Sequence, residues 1–236
     1  MTQGEDLNFK KYGITTNCTV RNVFEWVNKR TLCEKCRKDR YKIDPAIEEK
    51  EKKNNFFSNL ILGLSSESIE VPLDLLIIGE AHGGRPDAFR TQKSLEKEVE
   101  YIADYYLFKE LLEKFHQKEM RDLFEWLDEQ RIKYVFTDLV KCYVWRKNNE
   151  NFEIAIERCS EYLQRQVDVL QPRIILVLGK KAQKQINKWH FKQNKPHIIN
   201  SIFPSMFTAD KWVKTDGWAQ IKKEIQELYS KNRTEI

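Results

Sequence analysis

Three short, almost wholly apolar runs constrain this chain more than any other feature. Residues 73–79 (LDLLIIG), 133–139 (KYVFTDL) and 173–178 (RIILVL) suit buried parallel strands, and glycine closes two of them, Gly79 and Gly179. A weaker fourth run, 196–203 (PHIINSIF), stops at Pro204. Between the runs the period turns helical. Leu95, Val99, Ile102 and Tyr106 share one helical face, and Leu123, Trp126 and Leu127 open a second helix. Asn149 or Asn151 can cap a third, whose inner face is Ile156, Cys159, Leu163, Val167 and Leu170 and which must end near Pro172. Trp218, Ile221, Ile225 and Leu228 mark a final amphipathic helix. Strands alternating with helices imply a parallel sheet covered on both faces, with the functional site outside the carboxyl ends of its strands. The loops at 79–89, 138–148 and 203–208 are therefore the candidate site.

Composition narrows the class. A chain of 236 residues that is 41% hydrophobic and 12% aromatic, with 8 Gly and 6 Pro, is neither collagen-like nor intrinsically disordered. Residues 48–55 (EEKEKKNN) are a mixed charge run, expected as a solvated helix end or loop. Neither repeats nor a clear linker appear, so 1–236 is expected to be one domain, with 1–55 an N-terminal segment. No apolar run approaches the roughly 18 residues of a membrane span, and the N-terminus shows no secretory h-region. The expectation is a soluble, cytoplasmic protein. The net charge of +5 permits a nucleic-acid partner without requiring one.

Five cysteines without a signal peptide point away from a disulfide framework and toward metal or catalysis. Cys33 and Cys36 form a C-x-x-C about forty residues ahead of the first good strand, the wrong context for a thioredoxin-like pair. Cys142 follows the second strand and Cys159 lies in the next helix, while Cys18 has no obvious companion. The set Cys33, Cys36, Cys142 and Cys159 suits zinc or an iron–sulfur cluster, and unrelated buried thiols are the third alternative. One knuckle plus two dispersed cysteines reads better as [4Fe–4S] than as zinc.

The order of motifs resembles the family 4, iron–sulfur uracil-DNA glycosylases. The matching residues are Cys33 and Cys36; Gly79-Glu80-Ala81-His82-Gly83; Val140-Lys141-Cys142; the stretch from Cys159 to Gly179; and Phe203-Pro204-Ser205. The resemblance implies a three-layer α/β/α domain with a central four-stranded parallel sheet and a [4Fe–4S] cluster on the four cysteines. It also implies hydrolysis of the N-glycosidic bond of uracil, or another deaminated base, flipped out of DNA in base excision repair. A monomeric enzyme with DNA as partner and no membrane is expected, acting at the nucleoid.

Four departures from the family pattern bear on the chemistry. His82 replaces a proline in the first motif, and Asp138 stands where many members have the asparagine that reads the uracil edge. Residues 142–149 (CYVWRKNN) replace a Cys-Arg-Pro-Pro-Gly-Asn-Arg run. Phe203 takes the place of the histidine that would donate to the O2 oxyanion, a loss that typically costs about 10²–10³ in rate. His82 can substitute as the electrophile or be a solvated loop histidine. Glu80 is a catalytic or a loop-ordering carboxylate, Asp138 a base reader or a turn cap, and Asp87 an acidic partner for water. Phe89 can stack on a flipped base or sit in the core. Gly83 belongs to the first motif loop. Lys141, Arg146 and Lys147, with Trp145 among them, can grip phosphate, and Pro204-Ser205-Met206-Phe207 offers a hydroxyl and an apolar wedge. Gly179-Lys180-Lys181 resembles only half a P-loop, and His190 and His197 have no partners at metal spacing. The opposing reading is a repurposed iron–sulfur DNA-binding protein that keeps the fold without the chemistry.

Overall fold

The computed structural model describes residues 64–65, 71–81, 115–140, 149–191, 195–204, 212 and 216–234. Its elements, in order, are β1 (Leu64–Ser65), β2 (Leu75–Ala81), α1 (Phe115–Glu129), β3 (Tyr134–Val140), α2 (Asn149–Leu170), β4 (Ile174–Leu178), α3 (Lys180–Ile186), β5 (His197–Ser201) and α4 (Ala219–Thr234). The helix expected over 95–106 and the charge run 48–55 lie outside the described residues.

β2 is central because its side chains are apolar on both faces. It pairs in parallel with β3 (Leu75↔Tyr134, Gly79↔Asp138) and with β4 (Leu75↔Ile174, Ile78↔Val177), and β4 pairs in parallel with β5 (Ile174↔His197). The four expected strands thus form the parallel sheet in the order β3-β2-β4-β5. The two-residue β1 adds an antiparallel edge on β3, Leu64 opposite Phe136, which the sequence pattern did not foretell. Two residues are too short to carry a readable period.

Alternation along the strands separates two cores. Leu75, Ile77, Tyr134, Phe136, Ile174, Leu176 and Leu178 face Met120, Leu123, Phe124 and Leu127 of α1 and Ile221 and Ile225 of α4. Leu76, Ile78, Val135, Leu139, Ile175 and Val177 face Phe152, Ile156, Cys159, Leu163 and Val167 of α2 and Ala182 and Ile186 of α3. Helices on both faces of a parallel sheet make three layers, as expected from the runs of strand and helix.

α2 fits its expected boundaries, from Asn149 to Leu170, and Gln171 takes a left-handed φ of 46° before Pro172. α1 begins eight residues before Leu123, earlier than the apolar period signals. Within that earlier stretch, Glu119 is held by tertiary contacts. Glu119 Oε2 accepts the indole N–H of Trp212 at 2.8 Å, and the Glu119 carbonyl accepts that of Trp218 at 2.7 Å. The two indoles meet edge to face, 4.5 Å between centroids.

The amino end of the sheet is clamped by Asp74, which is nearly buried. Its Oδ2 accepts the Lys133 N–H at 3.0 Å and its Oδ1 meets Arg173 Nη1 at 3.3 Å, tying β2 to the starts of β3 and β4. No helix among the described residues is long and apolar enough to cross a membrane.

Tyr134 stacks on Phe124 with centroids 5.3 Å apart and planes within 3°. Burial, with the nearby Asp128 carboxylate adding to it, pushes the Tyr134 hydroxyl far above the usual tyrosine range. The folded state therefore keeps a proton that the unfolded chain releases above about pH 10, so this stabilisation is complete below that pH and fades as the pH rises. Tyr134→Phe should flatten the loss of stability between about pH 10 and 11.5, read from urea midpoints across that range. An unchanged alkaline slope would refute the assignment.

Candidate functional site at the carboxyl edge of the sheet

Among the described elements, β2 is followed by α1 on one face of the sheet and β4 by α3 on the other. Neighbouring strands whose connections depart in opposite directions open a crevice at their carboxyl ends, where α/β sheets bind ligands. Three residues singled out in the sequence converge on that edge: Glu80 at the end of β2, Asp138 near the end of β3, and Gly179 directly after β4.

Glu80 bridges the crevice. Its Oε1 accepts the backbone N–H of Lys181, in the first turn of α3, at 2.9 Å. The side chain lies across Gly179, where an added Cβ would come within 2.5–2.8 Å of Glu80 Oε1, Cδ and Cγ. Gly179 has φ +101° and ψ 151°, outside the range open to other residues, so both backbone and space require glycine. From there Gly179 N–H donates to the Ser201 carbonyl at 2.9 Å, which also accepts Gln183 Nε2–H at 2.7 Å. The end of β5 is thereby fixed to the start of α3. Lys181 is anchored in turn, its Nζ 3.5 Å from Glu153 Oε1 and 4.3 Å from the centre of the Phe152 ring on α2.

Asp138 is 2% exposed, one strand further from the crevice. It sits beside Gly79, and a Cβ there would collide with Asp138 Oδ1 and meet the Phe136 ring at 3.5 Å. The glycine of the first motif thus makes room for a carboxylate on the neighbouring strand. Within hydrogen-bond chemistry, an ionised carboxylate in such a place accepts N–H groups and donates none.

Phe203, in the position of the motif histidine, is partly buried and packs against the core on the α1–α4 side. Pro204 after it is buried. Cys159 is 3% exposed and lies on the inner face of α2 in the core with Phe152 and Ile156. Among the described residues no group of three or more His, Cys, Asp or Glu side chains is arranged to hold a metal. Cys33, Cys36, Cys142, His82, Gly83, Asp87, Phe89, Lys141, Arg146 and Ser205 lie outside the described residues.

Sequence reasoning did not foresee α3 or the Glu80–Lys181 bond. A glycine closing an apolar run was the available signal for the turn. The acceptor on the opposite strand was not, because Glu80 and Lys181 are a hundred residues apart in the chain.

The fold is thus a three-layer α/β/α domain, the class of protein whose ligands bind at the carboxyl ends of the parallel strands. The profile of the uracil DNA glycosylase superfamily matches residues 69–222. This chain belongs to that superfamily, as its motifs suggested. It is also 39% identical over 62 residues to the type-4 uracil-DNA glycosylase of Sulfurisphaera tokodaii, in agreement with the resemblance to the family 4 branch. That alignment spans 26% of this chain and 28% of the relative.

Proposed function

We propose that this protein is a DNA base glycosylase that removes uracil or another deaminated base from DNA during base excision repair. The observation that carries the reading is Asp138, a buried carboxylate set beside Gly79 at the carboxyl edge of the sheet. There a flipped base would present its edge, and Asp138 would accept the N3–H of uracil or an amino group of a related base. In the hydrolysis, the C1′–N bond breaks with its electron pair leaving on the base. Water supplies the new C1′–O bond and gives up a proton to the carboxylate that orients it. Glu80, held in place by Lys181 N–H, and Asp87 are the carboxylates positioned in sequence to orient that water. His82 is the remaining donor for the departing base, since Phe203 replaces the motif histidine.

Gly83, Phe89, Lys141, Arg146, Pro204 and Ser205 would complete the DNA surface, in one domain spanning 1–236 and acting on the cytoplasmic nucleoid. The all-thiolate set Cys33, Cys36, Cys142 and Cys159 matches iron–sulfur ligation, and the apolar surroundings of Cys159 would shield a cluster from water. When bound, the cluster would tie the N-terminal segment to the rest of the domain. Anaerobically purified protein is expected to be brown with absorbance at about 400 nm, and Cys159→Ser to lose iron. Colourless protein holding stoichiometric zinc would overturn the cluster.

Duplex and single-stranded oligonucleotides carrying uracil, hypoxanthine or xanthine, cleaved with alkali after incubation, test the activity directly. Release of at least one base, lost in His82→Ala, is the expected result. The second reading, an inert binder that keeps the fold, is favoured by one observation: the Phe203 ring packs against the core instead of offering a donor. Binding without release of any base would establish that reading.

A further inference from the structure

Residues 169–209 contain no Asp or Glu and seven Lys or Arg. That stretch carries more positive charge than the chain's whole net of +5, so the remainder of the protein is net negative. Residues 29–42 also carry a basic surplus, seven Lys or Arg against two Asp or Glu, but 169–209 holds its positive charge with no acidic residue among it, an electrostatic footprint.

The fold sorts these seven side chains. Arg173 is engaged by Asp74 at the far end of the sheet, and Lys181 by Glu153 and Phe152. Lys192 lies outside the described residues, and Lys195 is exposed just before β5. Lys180, Lys184 and Lys188 remain. α3 buries Ala182 and Ile186 against the sheet, which turns the i, i+4, i+8 row of lysines outward, and all three are exposed. Among the described residues none of the three has an acidic partner. Lys188 extends the row because the chain beyond α3 continues its turns, with Lys188 N–H donating to the Gln185 carbonyl at 3.1 Å.

The row begins next to Glu80 and Gly179 at the candidate site and leads away along the α2–α3 face. At 1.5 Å of rise per residue, helix positions four apart are displaced about 6 Å along the axis. That is close to two of the roughly 3.4 Å axial rises per phosphate of one duplex strand.

We propose that Lys180, Lys184 and Lys188 form a phosphate track that holds the nucleic-acid backbone flanking the flipped nucleotide as it leaves the site. This rests on the reading of the protein as a DNA glycosylase. The track carries no base information and serves affinity and orientation.

The test uses the full-length protein and labelled oligonucleotides, single-stranded and duplex, each with one uracil. Binding is followed by fluorescence anisotropy over a salt series. Replacing all three lysines by glutamine should weaken binding and lower the slope of log K against log salt by about 2–3 for duplex, at about 0.9 per lost phosphate contact. The double variant Lys184→Gln/Lys188→Gln should lose about two-thirds of that, and replacement of all three by arginine should restore the slope. Lys223→Gln, an exposed change on α4, serves as the control. Thermal unfolding of each variant verifies the fold, and the double variant stands in if the triple is unstable. An unchanged slope in variants of a protein that binds DNA would overturn the track alone. Failure of the unaltered protein to bind any of the oligonucleotides would overturn the glycosylase reading and the track with it.

Discussion

Asp138→Ala should lower single-turnover release of the preferred base by about 5–150-fold, the equivalent of the 1–3 kcal/mol that a well-placed base-edge contact contributes. The argument is geometric. Asp138 is almost fully buried on the end of a central strand, and Gly79 lacks the Cβ that would displace its carboxylate. A carboxylate confined by burial beside Gly79 has little freedom to lose when a base arrives, so contact is made without ordering a loose side chain. Asp138→Asn separates the shape of the residue from its hydrogen-bonding sense. It preserves volume and adds an amide donor able to meet uracil O4, so release of uracil should rise relative to bases that present an amino group. Uracil, hypoxanthine and xanthine substrates measure the loss in Asp138→Ala, and comparison of uracil with cytosine, which presents an N4 amino group, measures the change of preference in Asp138→Asn. Equal release by Asp138→Ala and the unaltered protein on every base would remove Asp138 from the site.

Gly179→Ala should destabilise the protein by about 2–4 kcal/mol, with a fall in thermal midpoint of roughly 4–16 °C for a domain of this size. Two costs combine. A methyl group at φ +101° and ψ 151° is strained in itself, and it also drives into the Glu80 side chain. Relief requires Glu80 to leave Lys181 N–H, which opens the bond that joins β2 to α3 across the crevice. Base release should therefore drop even below the melting transition. Glu80→Gln in the Gly179→Ala background should add little further, because the two changes break the same contact, and a double-mutant cycle reads this coupling. Full additivity, or a thermal midpoint within about 1 °C of the unaltered protein, would contradict the account.

Much of this architecture is legible in local pattern. β2, β3 and β4 follow from apolar runs that stop at Gly79, near Asp138 and at Gly179, because a strand buried on both faces needs no alternation, while β5, partly exposed at the sheet edge, gives the weaker run that stops at Pro204. α2 is equally plain, since Ile156, Cys159, Leu163, Val167 and Leu170 keep helical spacing up to Pro172. The start of α1 is not legible in sequence because Glu119 is fixed by indoles from residues 212 and 218, which no local period encodes. α3 escaped notice because a seven-residue helix with two buried side chains, Ala182 and Ile186, hardly differs from a loop in sequence.

The site divides in the same way. By itself the sequence determined which residues stand at strand ends and that Asp138 and Phe203 break the family pattern. These are properties of order along the chain. Only the tertiary structure decided that Gly79 yields its space to Asp138, that Glu80 crosses to Lys181 over Gly179, and that Phe203 packs against the core. Each of those depends on strands brought side by side by parallel pairing. Contacts between residues sixty or a hundred positions apart are set by the register of the sheet, and no local spacing records them.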